Sequence, residues 1–252
     1  MRKILAIAYY TLLEAARSRL AWLVLSAVLI FVTASFFIQA LAITDSVRLQ
    51  VAFLATSLRA ASFFLIAAFI ISTLQREHND KGPSLLLALD LPRGHYVLGK
   101  ALGMAGIASL IGLACALPVA LFAPPGAWLV WATSLLLEAW IVAAVSVFCG
   151  TSLRNVTAGL ALTLGFYLLA KSLATLQLIS HAGSMGASAS HRYMTQMLDT
   201  VALLLPRLDQ FAPTRWLVDG TSGALAPLAL QALIFVALVT AAAMFDMYRK
   251  NL

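Results

Sequence analysis

Six stretches of about twenty apolar residues occupy most of this chain, with short polar connections between them. A bilayer core about 30 Å thick takes roughly 20 helical residues to cross. Spans are expected at Leu20 to Ile43, Val51 to Leu74, Ala101 to Ala123, Ala127 to Cys149, Val156 to Ser180 and Ala224 to Met244. The expected fold class is an all-α integral membrane protein, with residues 1–252 forming one transmembrane domain and both termini on the same side. Composition agrees: 62% of residues are hydrophobic and 11% charged, where soluble domains carry about 25% charged residues. A soluble fold is excluded. The six spans and their connections use the length, so any catalytic engine is expected on another chain.

Charge sets the expected orientation. With the N-terminus inside, eleven of the seventeen Lys and Arg residues face the cytoplasm: Arg2, Lys3, Arg17, Arg19, Arg76, Lys81, Arg93, Lys100, Arg154, Arg249 and Lys250. Four lie outside, namely Arg48, Arg192, Arg207 and Arg215, and short loops of this kind obey the positive-inside bias. The expected location is a bacterial cytoplasmic (inner) membrane, with both termini cytoplasmic. The net charge of +7 raises nucleic acid as a partner, but basic residues at membrane ends point instead to anionic lipid headgroups. No nucleic-acid partner is expected. Cys115 sits mid-span and Cys149 at an inner membrane end, which gives a disulfide no support. Ala40-Leu41-Ala42 resembles a signal cleavage site, yet the preceding stretch and the span are too long, so the first helix is expected to be retained.

Residues 2 to 20 form an amphipathic helix candidate: Lys3, Tyr10, Glu14 and Arg17 recur on one face, and Leu5, Ala8, Leu12 and Ala15 on another. Residues 1–19 are thus expected in the inner membrane interface, the alternative being a continuation of the first span. The longest inner connection, 75–100, reads QREHNDKGPSLLLALDLPRGHYVLGK. Gly82-Pro83 can open a short helix, Ser84 to Asp90 can continue it, and Pro92 stops it. Its cluster of Leu85, Leu86, Leu87, Leu89 and Leu91 needs a cover, from the membrane or a partner protein. Gly94 to Lys100 imitates a phosphate-binding loop, but Ala101 replaces the Ser or Thr that would hold Mg²⁺, and no strand precedes it. The chain itself is therefore not expected to bind ATP.

In this connection Arg76-Glu77, Gly82, Leu86-Leu87, Pro92, Tyr96 and Gly99-Lys100 occur in an order that resembles permeases of the second type of ATP-binding-cassette (ABC) exporter. The interfacial N-terminal helix, the six spans and the loop order extend the resemblance over the whole chain. It implies a homodimeric or heterodimeric permease, with the homodimer expected, whose coupling helix near Pro83 to Asp90 rests on a separate cytosolic ATPase subunit. Two such subunits would bind the ATP and Mg, and this chain would hold no cofactor. The residues carried over for ATPase coupling are Glu77, Gly82, Pro83, Leu86, Leu87, Pro92, Gly99 and Lys100. His78-Asn79-Asp80 depart from the family pattern, where basic or Gly-rich residues are common. Gly150 to Asn155 would be a second, minor cytoplasmic contact; Asn155-Val-Thr157 matches a glycosylation sequon but lies on the wrong side of the membrane.

The outer segment 181–223 opens with HAGSMGASAS and continues into MTQMLDTVALLLP, which puts Met194, Met197, Leu198, Val201, Leu204 and Leu205 on one face of an expected surface helix. LPRLDQFAPTRWLVDG then resembles the final outer loop of such permeases. His181, Met185, His191, Met194 and Met197 include soft-metal ligand types. Their spacing lacks a closed ligand set, so no metal site is assigned and an accessory role in copper-enzyme maturation stands only as an alternative.

Arg59, Glu138 and Lys171 fall within spans, where a charge costs about 2.5 to 3.5 kcal/mol on insertion scales. At 1.5 Å per residue their depths are about 12 Å, about 17 Å and about 14 Å, one shared level. Glu138 is expected to pair with one cation, leaving the other to water or substrate; by the family resemblance, the second and fifth spans line the pathway. No nucleophile stands at a recognisable spacing from a base, which weighs against an intramembrane hydrolase. A secondary transporter calls for broken helices or a repeat of the two halves, and neither is apparent. The expected function is a non-enzymatic permease subunit of an ATP-driven exporter, with lipid-like, amphiphilic or peptide cargo and a sugar polymer as an alternative.

Overall fold

The computed structural model describes residues 2–42, 45–79, 93–153, 155–182, 193, 197, 205–220 and 223–249. Among these the chain is helical and holds no strand. The helices are α1 (Arg2–Arg17), α2 (Leu20–Leu41), α3 (Ser46–Asn79), α4 (Arg93–Ala116), α5 (Pro125–Ser152), α6 (Val156–Ala182), α7 (Arg215–Asp219) and α8 (Leu225–Arg249), with 3₁₀ turns at Leu117–Leu121 and Leu208–Gln210. Six of them, α2 to α6 and α8, are long and apolar enough to cross a bilayer. The chain is a multi-pass membrane protein by this measure.

Helix ends follow local chemistry. α1 and α2 are separated at Ser18 and Arg19. The Ser18 hydroxyl donates to the Ala15 carbonyl at 2.7 Å and accepts from the Leu20 N–H at 3.2 Å, closing one helix and opening the next. The second span starts at Ser46 rather than Val51 and runs on to Asn79. Its 34 residues extend about 51 Å, well past a 30 Å core, so the helix tilts or projects beyond the membrane. The third span differs from the expected continuous helix to Ala123. Pro118 cannot supply an amide to the α ladder, and the α-helix gives way to a 3₁₀ turn after Ala116. The fourth span begins at Pro125, where proline suits a first helical position, and ends at Ser152. The last one continues to Arg249.

α3, α4 and α5 form the centre and the rest surround them. Within the spans, 72% of the most apolar stretch of α5 is buried but only 11% of that of α2 and 17% of that of α8, which separates core helices from peripheral ones. The core of α3 is a stripe at helical spacing through Leu54, Leu58, Ile66 and Ile70. It packs against Met104 and Ile107 of α4 and Trp131, Leu135 and Ile141 of α5, all fully buried. In lipid, burying apolar side chains against one another gains little, so close packing and polar links must hold helices together.

Close packing is clearest between α1 and α4. A Cβ added at Gly99 would fall 2.8 Å from the Cβ of Ile7 and 3.0 Å from the Ile4 carbonyl; one at Gly103 would fall 2.8 Å from the Cβ of Thr11. Gly99 and Gly103 are four residues apart, so they share a face and let the two backbones touch. Either Gly99→Val or Gly103→Val should destabilise the chain by about 1–3 kcal/mol, because the clash is with a neighbouring helix rather than a free side-chain end. Gly126, with nothing within 4 Å of its added Cβ, is the control: Gly126→Ala should leave the midpoint of thermal unfolding in detergent nearly unchanged.

Candidate functional site

The most constrained polar group lies between α3 and α5. Arg59 continues the buried α3 face of Ala55, Leu58 and Ser62, and Glu138 that of Leu135, Ala139 and Val142 on α5. The guanidinium grips the carboxylate with two bonds: Nε donates to Oε2 at 2.7 Å and Nη2 to Oε1 at 2.8 Å. The side chains retain only 7% and 4% exposure. This fork geometry is what arginine, and not lysine, offers a carboxylate.

The pair also holds the loop that precedes α7. Arg59 Nη2 donates to the Leu208 carbonyl at 2.9 Å and Nη1 to that of Ala212 at 3.1 Å. Trp131 Nε1 donates to the same Ala212 oxygen at 2.9 Å, and the Ala212 N–H donates to Ser134 Oγ at 2.9 Å. Ala212 has φ +42°, a backbone setting alanine seldom adopts. Three hydrogen bonds from α3 and α5 fix it there. Leu208 and Phe211 are fully buried beside it, and the Thr56 and Thr214 hydroxyls meet at 3.1 Å. Residues 205–219 are thus folded into the end of the bundle.

Of the two cations expected to compete for Glu138, the partner is Arg59. Lys171 points its ammonium over the Tyr167 ring, 5.5 Å from the centroid, and that ring stacks on Phe63 at 3.9 Å. The Tyr167 hydroxyl is buried without a hydrogen-bond partner among the described residues.

A second cluster gathers at the opposite end. Glu77 near the end of α3 is ion-paired with Lys100 on α4, and Tyr96 Oη donates to its other oxygen at 3.1 Å. Gln75 donates to the Gly150 carbonyl at 3.3 Å and also to the Leu153 carbonyl. Arg76 reaches Glu14 of α1 at 2.8 Å on the surface. Glu77 and Lys100, 23 residues apart, therefore close the segment between them. Gly99 is turned to α1, so Gly99 and Lys100 serve contacts within the chain. Gly82, Pro83, Leu86, Leu87 and Pro92 lie outside the described residues, as does the expected coupling helix. Most of the expected outer helix and the His/Met set lies outside them as well; Tyr193 and Met197 are described and exposed.

The loop carbonyls of Leu208 and Ala212 and their supports Trp131 and Ser134 escape a reading of the sequence. The only signal is a run, LPRLDQFAPTRW, too apolar for a free loop. Among the described residues no three His, Cys, Asp or Glu side chains converge. No protein-family model matches the chain, and no curated protein matches it.

The arrangement predicts distinct outcomes for the three charges. Glu138→Gln and Arg59→Gln should each destabilise by about 3–5 kcal/mol, since each leaves a buried charge without its partner. The double variant should recover part of that loss, whereas Lys171→Gln should give no recovery in the Glu138→Gln background. Thermal unfolding of the four variants in detergent measures this. Trypsin cleavage after the exposed Arg207 should rise in both single pair variants, as the loop loses its anchor.

Proposed function

We propose that this chain is the membrane-spanning permease subunit of a type-2 ABC exporter, acting as a homodimer with two separate cytosolic ATPase subunits that bind ATP and Mg. The observation that carries this reading is the closure formed by Glu77, Tyr96 and Lys100. These residues belong to the pattern on which the family resemblance rests, and their contact brings together the two ends of the connection holding Leu86 and Leu87. A movement imposed on that connection would pass into both α3 and α4. α3 carries Arg59 and hence the outer loop, so one rigid helix links the docking end to the far end of the bundle.

In this reading α1 lies in the inner membrane interface and the termini are cytoplasmic in a bacterial inner membrane. ATP binding in the partner subunits would draw the connections together and rock the spans. The chain supplies no catalytic group of its own. Arg59–Glu138 acts as a structural latch on the outer loop. Lys171, without a carboxylate partner among the described residues, is the cation for a pathway role, which fits lipid-like, amphiphilic or peptide cargo with an anionic group.

Leu87→Asp should lower recovery of the co-purified ATPase by about tenfold, as expected when an apolar anchor is replaced by a charge at a docking surface, with membrane insertion unchanged. Normal recovery and normal transport would remove the coupling role. Topology is checked separately: cysteines at positions 82 and 154 should be shielded from an impermeant thiol reagent in intact cells, and those at 45, 125 and 194 labelled.

A further inference from the structure

At the start of α2 an apolar groove of about 330 Å³ runs between α2 and α3. Its floor is formed by Leu23, Leu65, Ala68 and Phe69, and its rim by Arg19 and Arg76. A second depression, lined by Tyr10, Glu14 and Arg17, shares Ser18 and Arg76 with it, which makes the basic rim continuous. Arg17 and Arg19 make no ion pair with another described residue. Among the described residues lining the two depressions the one carboxylate, Glu14, is bound to Arg76, so this rim carries a net positive charge. Trp22, 74% exposed in the first turn of α2, is the side chain that favours the headgroup level of a bilayer.

We propose that this groove is a binding site for one anionic phospholipid. The Arg19 guanidinium, with donors of Arg76 not given to Glu14, takes the phosphate, and one acyl chain lies along Leu23, Leu65 and Phe69. Charge complementarity selects the headgroup, and continuity of the apolar floor with the basic rim selects a lipid over a soluble anion. Little of the α2 surface is buried within the chain, so a lipid bridging α2 and α3 adds adhesion that apolar side chains alone do not provide in a membrane. The site requires only that the chain spans a membrane, and stands independently of the exporter reading.

The test is native mass spectrometry of the full-length chain in detergent, titrated with phosphatidylglycerol or phosphatidylcholine of the same acyl chains. Wild type should retain phosphatidylglycerol about tenfold better, the scale expected when one or two arginines meet an anionic headgroup. Arg19→Gln should remove most of that preference and Arg19→Lys should keep most of it. Ala68→Trp should fill the floor and lower retention of both lipids. Equal retention of the two lipids by wild type would overturn the proposal, as would unchanged phosphatidylglycerol retention in both Arg19→Gln and Ala68→Trp. Displacement of the lipid by an equal concentration of inorganic phosphate would assign the rim to a soluble anion instead. A lipid-free dimer that dissociates in Arg19→Gln and Ala68→Trp would assign the groove to a second copy, and either result ends the lipid assignment.

Discussion

A buried arginine in a membrane has few stable settings, and the one it takes here organises one end of the bundle. Arg59 presents five N–H donors and four of its hydrogen bonds are accounted for: two to Glu138 and two to the carbonyls of Leu208 and Ala212. The carboxylate balances the charge, while the carbonyls use donors that would otherwise face hydrocarbon. Because the acceptors come from α5 and from the loop before α7, satisfying one side chain ties three parts of the chain together. The left-handed Ala212 follows from this, since its carbonyl and amide must serve Arg59, Trp131 and Ser134 at once.

The other end of the bundle is held by a different balance of forces. There Glu77, Lys100, Tyr96 and Gln75 link α3 to α4 and α5, while Gly99 and Gly103 admit α1 to the side of α4. Backbone contact through small residues replaces the hydrophobic drive that lipid removes. α3 runs through both regions, which is why a displacement at its Asn79 end would reach the Arg59 end without an intervening flexible joint. α2 stands apart from this scheme, with most of its surface open to lipid.

Much of this was legible in the residue order. Apolar runs of membrane-spanning length give the six helices, and the 3.6-residue recurrence of Leu54, Leu58, Ile66 and Ile70 marks the buried face of one of them. Pro118 within the third run carried the signal that its α-helix would stop short, although the hydropathy continues through it. The spacing of Gly99 and Gly103 likewise announces a helix contact, but any of several helices could have filled that face. Leu208 and Ala212 were not legible, because they act through backbone carbonyls, which every residue has.

The sequence by itself determined the helical class, the six spans, the bias of basic charge to one side and the requirement that Glu138 find a cation. These depend on transfer free energies and on spacing along one helix, quantities that residue order contains. The tertiary structure decided that the cation is Arg59, that Lys171 turns to Tyr167, and that the loop before α7 returns to cap the pair. Arg59 and Lys171 stand at similar depth, so depth cannot choose between them; only the packing of α3 against α5 brings one guanidinium, and not the ammonium, within 2.7 Å of the carboxylate.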